Sequence, residues 1–311
     1  MIHGGGHVML SRKDIRPKQT QLLLAAGFLP ISIDYRLCPE TTLLEGPMTD
    51  VRDALAWARH TLPFSNDKSP RRHRLDVRVD GTRLVAVGWS TGGMLALSLG
   101  WTAPAAGLAA PEAVLAFYCP SDYEDECWSR PNLPFGEDVD ADAAEFDVWE
   151  GVADTPIVEY NPPAVAQAAG GWMSRRDARS RIALHMNWRA QTVPVLVHGL
   201  RREDGGVGEG TPAMLPPPTP EQVAAISPLA QVRLGNYRTP TFLVHPVDDD
   251  LIPWQQAQRT VEELQARGVP AEVRIVDRAV HLFDLYPRYD RHEGAVAAIS
   301  DGYEFLARSV R

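Results

Sequence analysis

Gly88-Trp89-Ser90-Thr91-Gly92 places a single serine among small residues, with Leu84-Val85-Ala86-Val87 before it and Gly93-Met94-Leu95-Ala96-Leu97-Ser98-Leu99 after it. The first flank has the short apolar run of a buried parallel strand, and the second reads as a buried helix. A serine on the sharp turn between them can present its hydroxyl to a carbonyl carbon, and small neighbours tolerate the strained backbone that turn needs. The chain opens on Met1-Ile2-His3-Gly4-Gly5-Gly6-His7. A glycine run lets the backbone approach a ligand closely and aim N–H groups at a developing oxyanion. The N–H groups of Gly5 and Gly6 are expected in that role together with that of Thr91; Gly4 is the alternative to one of the first two. His3 and His7 flank the run without a helix to bring them onto one face, so no metal site is expected, and His3 is expected to brace the loop through a hydrogen bond.

A nucleophilic serine needs a base, and the base needs an orienting acid. Nine histidines are available, and chain order selects among them. Thr241-Phe242-Leu243-Val244-His245 is strand-like and runs into Pro246-Val247-Asp248-Asp249-Asp250-Leu251-Ile252-Pro253. Acids just past the C-terminal end of a strand lie at the edge where doubly wound sheets keep their sites. A helical stretch from Trp254 to Arg267 follows, stopped by Gly268; then come the short strand Val273-Arg274-Ile275-Val276 and His281 in a loop. The order Ser90, Asp249, His281 is the Ser–acid–His order of α/β-hydrolases. Asp249 is preferred for its offset to Pro253, with Asp248 as fallback and Asp250 behind it. His245 reads as a structural residue at a strand end.

The elements that must position these groups alternate as in α/β proteins. Phe28 to Ile33 is expected as a strand, Val51 to Leu62 as a helix, and Ala113 to Tyr118 as another strand. Roughly 120 residues then pass before the strand at Thr241, far beyond an ordinary connection, so a folded insertion is expected there. This divides the chain into a first core part (1–118), an inserted cap or lid (119–235) and a second core part (236–311). The cap would set substrate choice and exclude water. Within it, Asp122 to Glu126 and Glu137 to Glu150 are acid-rich, and Glu203 to Pro220 reads as a Gly/Pro-rich loop. Arg175, Arg176, Arg179 and Arg181 form a basic cluster, either an ordinary solvated face or a docking patch for an acidic carrier protein. Trp172, Met186 and Trp188 suit an acyl pocket or cap packing equally.

His3-Gly4-Gly5-Gly6, Asp34-Tyr35-Arg36-Leu37-Cys38-Pro39-Glu40 and Gly88-Trp89-Ser90-Thr91-Gly92-Gly93 together resemble the hormone-sensitive-lipase-like branch of the α/β-hydrolases. That branch usually has Ala where Cys38 stands. Trp89-Ser90-Thr91, Tyr123-Glu124-Asp125-Glu126 and Gly170-Gly171-Trp172-Met173 further resemble fungal hydrolases tied to polyketide synthases, which occur as free thiohydrolases or as releasing domains. The resemblance implies a mostly parallel, doubly wound sheet, and a strand leading into the His-Gly-Gly-Gly loop between the Phe28 and Leu84 strands. Only Met1 and Ile2 stand where that strand should be, so the N-terminal strands are expected to be truncated, in a shortened gene model or one relying on upstream sequence supplied elsewhere.

Composition fits one catalytic unit. With 311 residues and 44% hydrophobic content the chain can bury one large core, or a core and a cap. No apolar run is long enough to span a membrane, and the N-terminus lacks a charged-then-apolar signal segment. Cys38, Cys119 and Cys127 have no metal-binding spacing, and an intracellular, reducing, cytoplasmic setting is the simplest reading. A net charge of −9 argues against nucleic acid. The expected activity is cleavage of an acyl ester or thioester without metal or organic cofactor. An acyl chain released from a polyketide carrier protein is the first expectation and a small diffusible ester the second. Acyl transfer and a non-catalytic ligand-binding module are the remaining alternatives.

Overall fold

A computed structural model of the chain describes residues 1–65, 78–132, 148–163, 174–200 and 214–311. Among these, α1 (Pro17–Ala25) and α2 (Pro47–His60) both begin on a proline, whose missing N–H leaves nothing unsatisfied in a first turn. A single turn α3 (Leu62–Ser65) follows. The strand β1 (Val85–Trp89) then turns sharply at Ser90 into α4 (Thr91–Ala105), and β2 (Ala113–Phe117) comes next. Further along lie α5 (Ala178–Trp188), α6 (Thr192–His198), α7 (Pro220–Ile226) and α8 (Pro228–Arg233). The last part alternates as β3 (Thr241–Asp248), α9 (Gln255–Ala266), β4 (Ala271–Val280) and α10 (Glu293–Ser309).

The sheet is parallel throughout, in the order β1-β2-β3-β4, with Gly88 opposite Ala116, Phe117 opposite Val244 and Val244 opposite Arg274. Both faces are covered, which is why β1 and β2 are apolar along their length rather than alternating. One face packs on α4 and α9, with α2 and α8 against α4; the other packs on α10, which contacts α1. Two apolar clusters result, one containing Met94, Leu97 and Leu264, the other Val87, Phe117 and Leu306.

Ile2 lies between Gly88 of β1 and Ile33, bridged in parallel to both. Its N–H donates to the Val87 carbonyl at 2.8 Å, the Trp89 N–H donates to the Ile2 carbonyl at 3.3 Å, and the Ile33 N–H reaches the Met1 carbonyl at 3.3 Å. This is the location expected for the strand entering the glycine loop. Phe28–Ile33, expected as a strand, forms only the bridge at Ile33. Pro30 has no N–H to contribute to a ladder.

In the segment 119–235, α8 packs on both α4 and α9, and the Leu229 N–H bonds the Ser121 carbonyl at 2.8 Å. The far end of that segment is therefore tied to the core beside the exit of β2. Residues 164–173, which include Gly170, Gly171, Trp172 and Met173, lie outside the described residues, as do 133–147 of the acid-rich stretch and 201–213 of the Gly/Pro-rich one.

Candidate active site

Ser90 sits at φ 52° and ψ −128°, a left-handed backbone that an L-residue holds only where its surroundings impose it. The imposition is local. The Ser90 N–H bonds the Phe117 carbonyl of β2 at 2.9 Å, and α4 starts immediately with the Gly93 N–H on the Ser90 carbonyl, also at 2.9 Å. A Cβ at Gly92 would fall well inside contact distance of the Ile2 and His3 carbonyls, so the turn closes only on a glycine there.

The structure brings Ser90, His281 and Asp249 into one chain of hydrogen bonds. His281 Nε2 is 3.1 Å from Ser90 Oγ, and His281 Nδ1 is 2.8 Å from Asp249 Oδ2. Asp249 follows the end of β3 with a side chain 0% exposed; its Oδ1 accepts the N–H groups of Leu251 at 3.0 Å and Ile252 at 2.9 Å. Burial by itself would raise its pKa. The charge of His281 and the hydrogen bonds from His245 and His281 outweigh burial and hold the carboxyl below the usual carboxylate range. Asp248 and Asp250, the alternatives from sequence, are both exposed.

The glycine loop lies directly against this turn. Gly5 and Gly6 have φ of 97° and 65°, and the Gly5 carbonyl accepts the N–H groups of Val8 and Met9, each at 3.0 Å. Among the described residues, the N–H groups of Gly5, Gly6 and Thr91 donate to no protein acceptor. The Thr91 hydroxyl accepts the His7 N–H at 3.2 Å and so fixes the loop to the start of α4. His3 is buried, with Nδ1 2.9 Å from the Gly4 carbonyl and its ring stacked on Tyr35 at 4.2 Å. The Tyr35 hydroxyl, from the Asp-Tyr-Arg motif, reaches the His3 and Gly4 carbonyls at 3.0 Å each. Burial lowers the pKa of His3 to about 4 and, with the nearby His3, that of His7 to about 3; both are neutral braces at pH 7.

Gly4, Gly5, Gly6, Ser90, Thr91 and His281 all line one cavity of about 100 Å³, walled mainly by apolar side chains that include Met186 of α5. Trp188 does not line it; it is buried with Arg175 over its ring at 5.1 Å.

The basic cluster divides on inspection. Arg179 is buried, ion-paired to Glu40, and donates to the carbonyls of Val8 at 2.6 Å, Gly151 at 2.9 Å and Cys38 at 2.5 Å. It therefore ties α5 to the glycine loop and to the Cys38-Pro39-Glu40 motif and cannot belong to a docking face. Arg181 is largely covered and pairs with Glu150, while Arg175 and Arg176 are exposed.

His245, read from sequence as merely structural, contacts the same acid: its Nε2 is 3.2 Å from Asp249 Oδ2 and 3.0 Å from the Ile252 carbonyl. The signal was its place four residues before Asp249 at the end of a buried strand. Sequence reasoning also missed Asp14 and Arg16, which line the cavity.

A family model described as alpha/beta hydrolase fold matches residues 1–164, and one for the prolyl oligopeptidase family matches residues 209–310. The chain belongs to the α/β-hydrolase family and is a hydrolase of its hormone-sensitive-lipase-like branch. Along its whole length it is 56% identical to the non-reducing polyketide synthase adrD of Penicillium roqueforti and 57% identical to the non-reducing polyketide synthase mapC of Penicillium brevicompactum. In each case it spans 12% of that relative's length. Among solved structures, an alpha/beta hydrolase superfamily protein from Enterococcus faecalis superposes with a TM-score of 0.64 at 16% identity, over 98% of this chain and 88% of that one. Carboxyl esterase 2 from Tuber melanosporum superposes with a TM-score of 0.58 at 19% identity, over 100% and 77%. At these identities the two superpositions speak for the fold alone. No helix among the described residues is long and apolar enough to cross a membrane.

Proposed function

We propose that the chain cleaves an acyl thioester through Ser90, His281 and Asp249, and that its natural substrate is a polyketide acyl chain carried by an acyl carrier protein. The observation that carries this reading is the Ser90–His281–Asp249 hydrogen-bond chain beside the undonated N–H groups of Gly5, Gly6 and Thr91, in one cavity. The carrier-protein substrate rests on the similarity of this chain to a 12% share of each of two polyketide synthases.

In the first half-reaction Ser90 Oγ bonds to the acyl carbon while its proton passes to His281 Nε2. The carbonyl oxygen becomes an oxyanion held by Gly5, Gly6 and Thr91, each donor contributing about 3 kcal/mol on the scale of single oxyanion-hole deletions. The C–S bond then breaks, and the departing sulfur takes the proton from His281. In the second half-reaction water gives its proton to His281, adds to the acyl-enzyme and expels Ser90 Oγ, which recovers that proton. Asp249 keeps His281 in the tautomer that accepts at Nε2 and stabilises the imidazolium. The segment 119–235 serves as the cap, with α5 contributing Met186 and Ala183 to the cavity wall.

The test presents one acyl group both as an oxygen ester and as an N-acetylcysteamine thioester, with Ser90→Ala run beside the native chain. A Ser90-dependent preference for the thioester well beyond the intrinsic reactivity difference supports carrier release. Equal or better cleavage of the oxygen ester moves the assignment to a carboxylesterase.

A further inference from the structure

Among the described residues, two histidines share Asp249. Its Oδ2 lies 2.8 Å from His281 Nδ1 and 3.2 Å from His245 Nε2, while its Oδ1 takes the Leu251 and Ile252 N–H groups. Acyl cleavage uses the first imidazole and leaves the second without a task. The His245 side chain is 1% exposed, and a polar ring is costly to bury unless its hydrogen bonds compensate. Its Nε2 is also 3.0 Å from the Ile252 carbonyl. A carbonyl only accepts, so Nε2 carries the ring proton and donates to both oxygens. Nδ1 has no hydrogen-bond partner among the described residues. His245 is therefore the Nε2–H tautomer, the opposite of His281, which gives a proton to Asp249 at Nδ1 and faces Ser90 with Nε2.

The backbone explains why such a tether is needed. β3 pairs regularly with β4 as far as His245 opposite Ile275 and Pro246 opposite Val276, and the register then shifts before Asp248 meets Val280. An irregularity of this kind re-aims a strand end beside a site and disrupts the ladder that would hold it. Asp249 lies one residue past that end. His245, on the regular side, reaches across the irregularity to Asp249 and Ile252 and closes the turn between them.

We propose that His245 is a positioning residue for the reaction: its Nε2–H holds the Asp249 carboxylate where it meets His281 Nδ1. Without that donor the turn carrying Asp249 loses its tie to the sheet, and the carboxylate no longer keeps its place beside His281. The imidazolium that forms as Ser90 attacks is then less well stabilised. The effect on the chemical step rests on the proposed function; the hydrogen bond itself is readable without turnover.

Two readouts test it. NMR of the histidine ring nitrogens in the native chain at neutral pH is expected to show His245 protonated at Nε2 and His281 at Nδ1, each assigned by its loss in His245→Gln or His281→Gln. His245 protonated at Nδ1 alone overturns the proposal, because Nε2 would have no proton to donate. Steady-state kinetics on one thioester compares His245→Leu, which keeps much of the bulk, with His245→Gln, whose amide nitrogen reaches the Nε2 position. The leucine variant is expected to lose roughly 10- to 100-fold in kcat with KM within about 3-fold, the scale of one hydrogen bond to a charged group. The glutamine variant is expected to recover to within about 5-fold of the native kcat. Added to Asp249→Asn, the leucine substitution should cost less than about 3-fold more, since a residue that acts through Asp249 has little left to lose. A native kcat in the folded leucine variant, or an undiminished further loss in the Asp249→Asn background, overturns the proposal; a packing role predicts the latter. The ring-nitrogen spectrum decides if the leucine variant fails to fold. Ser90-dependent cleavage indifferent to His245→Leu removes this inference alone, and the expected tautomers without Ser90-dependent cleavage remove the hydrolase reading alone.

Discussion

Arg179→Met is the substitution whose cost the structure defines best. It removes a guanidinium 1% exposed from a Glu40 carboxylate 2% exposed, and strips the Val8, Cys38 and Gly151 carbonyls of their donor. Among the described residues, Glu40 then keeps only the Ala153 N–H, at 2.8 Å. Breaking a buried pair from one side leaves an uncompensated charge and costs about 3–5 kcal/mol, a large share of the roughly 5–15 kcal/mol that holds a typical domain together. Removing both charges in Arg179→Met/Glu40→Leu eliminates the stranded carboxylate and leaves the three carbonyls. At least about 2 kcal/mol of the loss should return. Urea unfolding followed by tryptophan fluorescence reads both variants, and Arg179→Lys supplies a milder version should the methionine variant fail to accumulate. A surface docking arginine would behave differently, with stability changed by less than about 0.5 kcal/mol. A loss that small in Arg179→Met, or a double variant no more stable than the single one, would refute the buried-staple account.

Three further outcomes follow from the site. Asp249→Asn should lower kcat by about 10⁴-fold with little change in KM, because the amide no longer fixes the tautomer His281 needs; steady-state kinetics on a thioester measures it, and a loss under tenfold contradicts the assignment. Gly92→Ala should abolish activity and most soluble expression, since its Cβ would press on the Ile2 and His3 carbonyls; wild-type activity in that variant would show that the loop and elbow are packed less closely. His3, His7 and His185 are buried with pKa values lowered to about 4, 3 and 4, chiefly by desolvation. The unfolded chain binds those protons below about pH 6.5 and the folded chain does not until pH falls much further. Stability is therefore full above pH 6.5 and falls as pH drops toward 4, by up to about 4 kcal/mol per pH unit when all three are protonated in the unfolded state. Urea midpoints at pH 7, 6 and 5 check this, and a flat profile over that range refutes it.

Much of the site was legible because its parts lie at ends of apolar strands. Ser90, Asp249 and His281 each follow a run recognisable as a buried parallel strand, and in a doubly wound sheet such ends converge on one edge. Chain order then left little freedom. Phe28–Ile33 misled because its composition suits a strand, whereas pairing depends on neighbours distant in sequence, and here it is limited to the bridge between Ile33 and Ile2. The arginine cluster misled for a different reason. Arg179 falls at helical spacing with Ile182, Ala183 and Met186, all buried, so it shares the inward face of α5, while Arg175 and Arg176 precede the helix. That periodicity was readable, but a charge on an apolar stripe is more often solvated than buried. Asp14, Arg16 and Asp284 carried no local signal at all, since their association joins residues some 270 positions apart.

The central claim is that Ser90 becomes acylated. Rapid mixing of the chain with a slowly hydrolysed acyl N-acetylcysteamine thioester, acid quenching and mass spectrometry of the intact and digested protein test it directly. The account predicts one added acyl mass located on the peptide containing Ser90, appearing before free acid and absent from Ser90→Ala, whose turnover falls by about 10⁶-fold. Free acid released at the native rate by Ser90→Ala, or an acyl mass on some other residue, would contradict it.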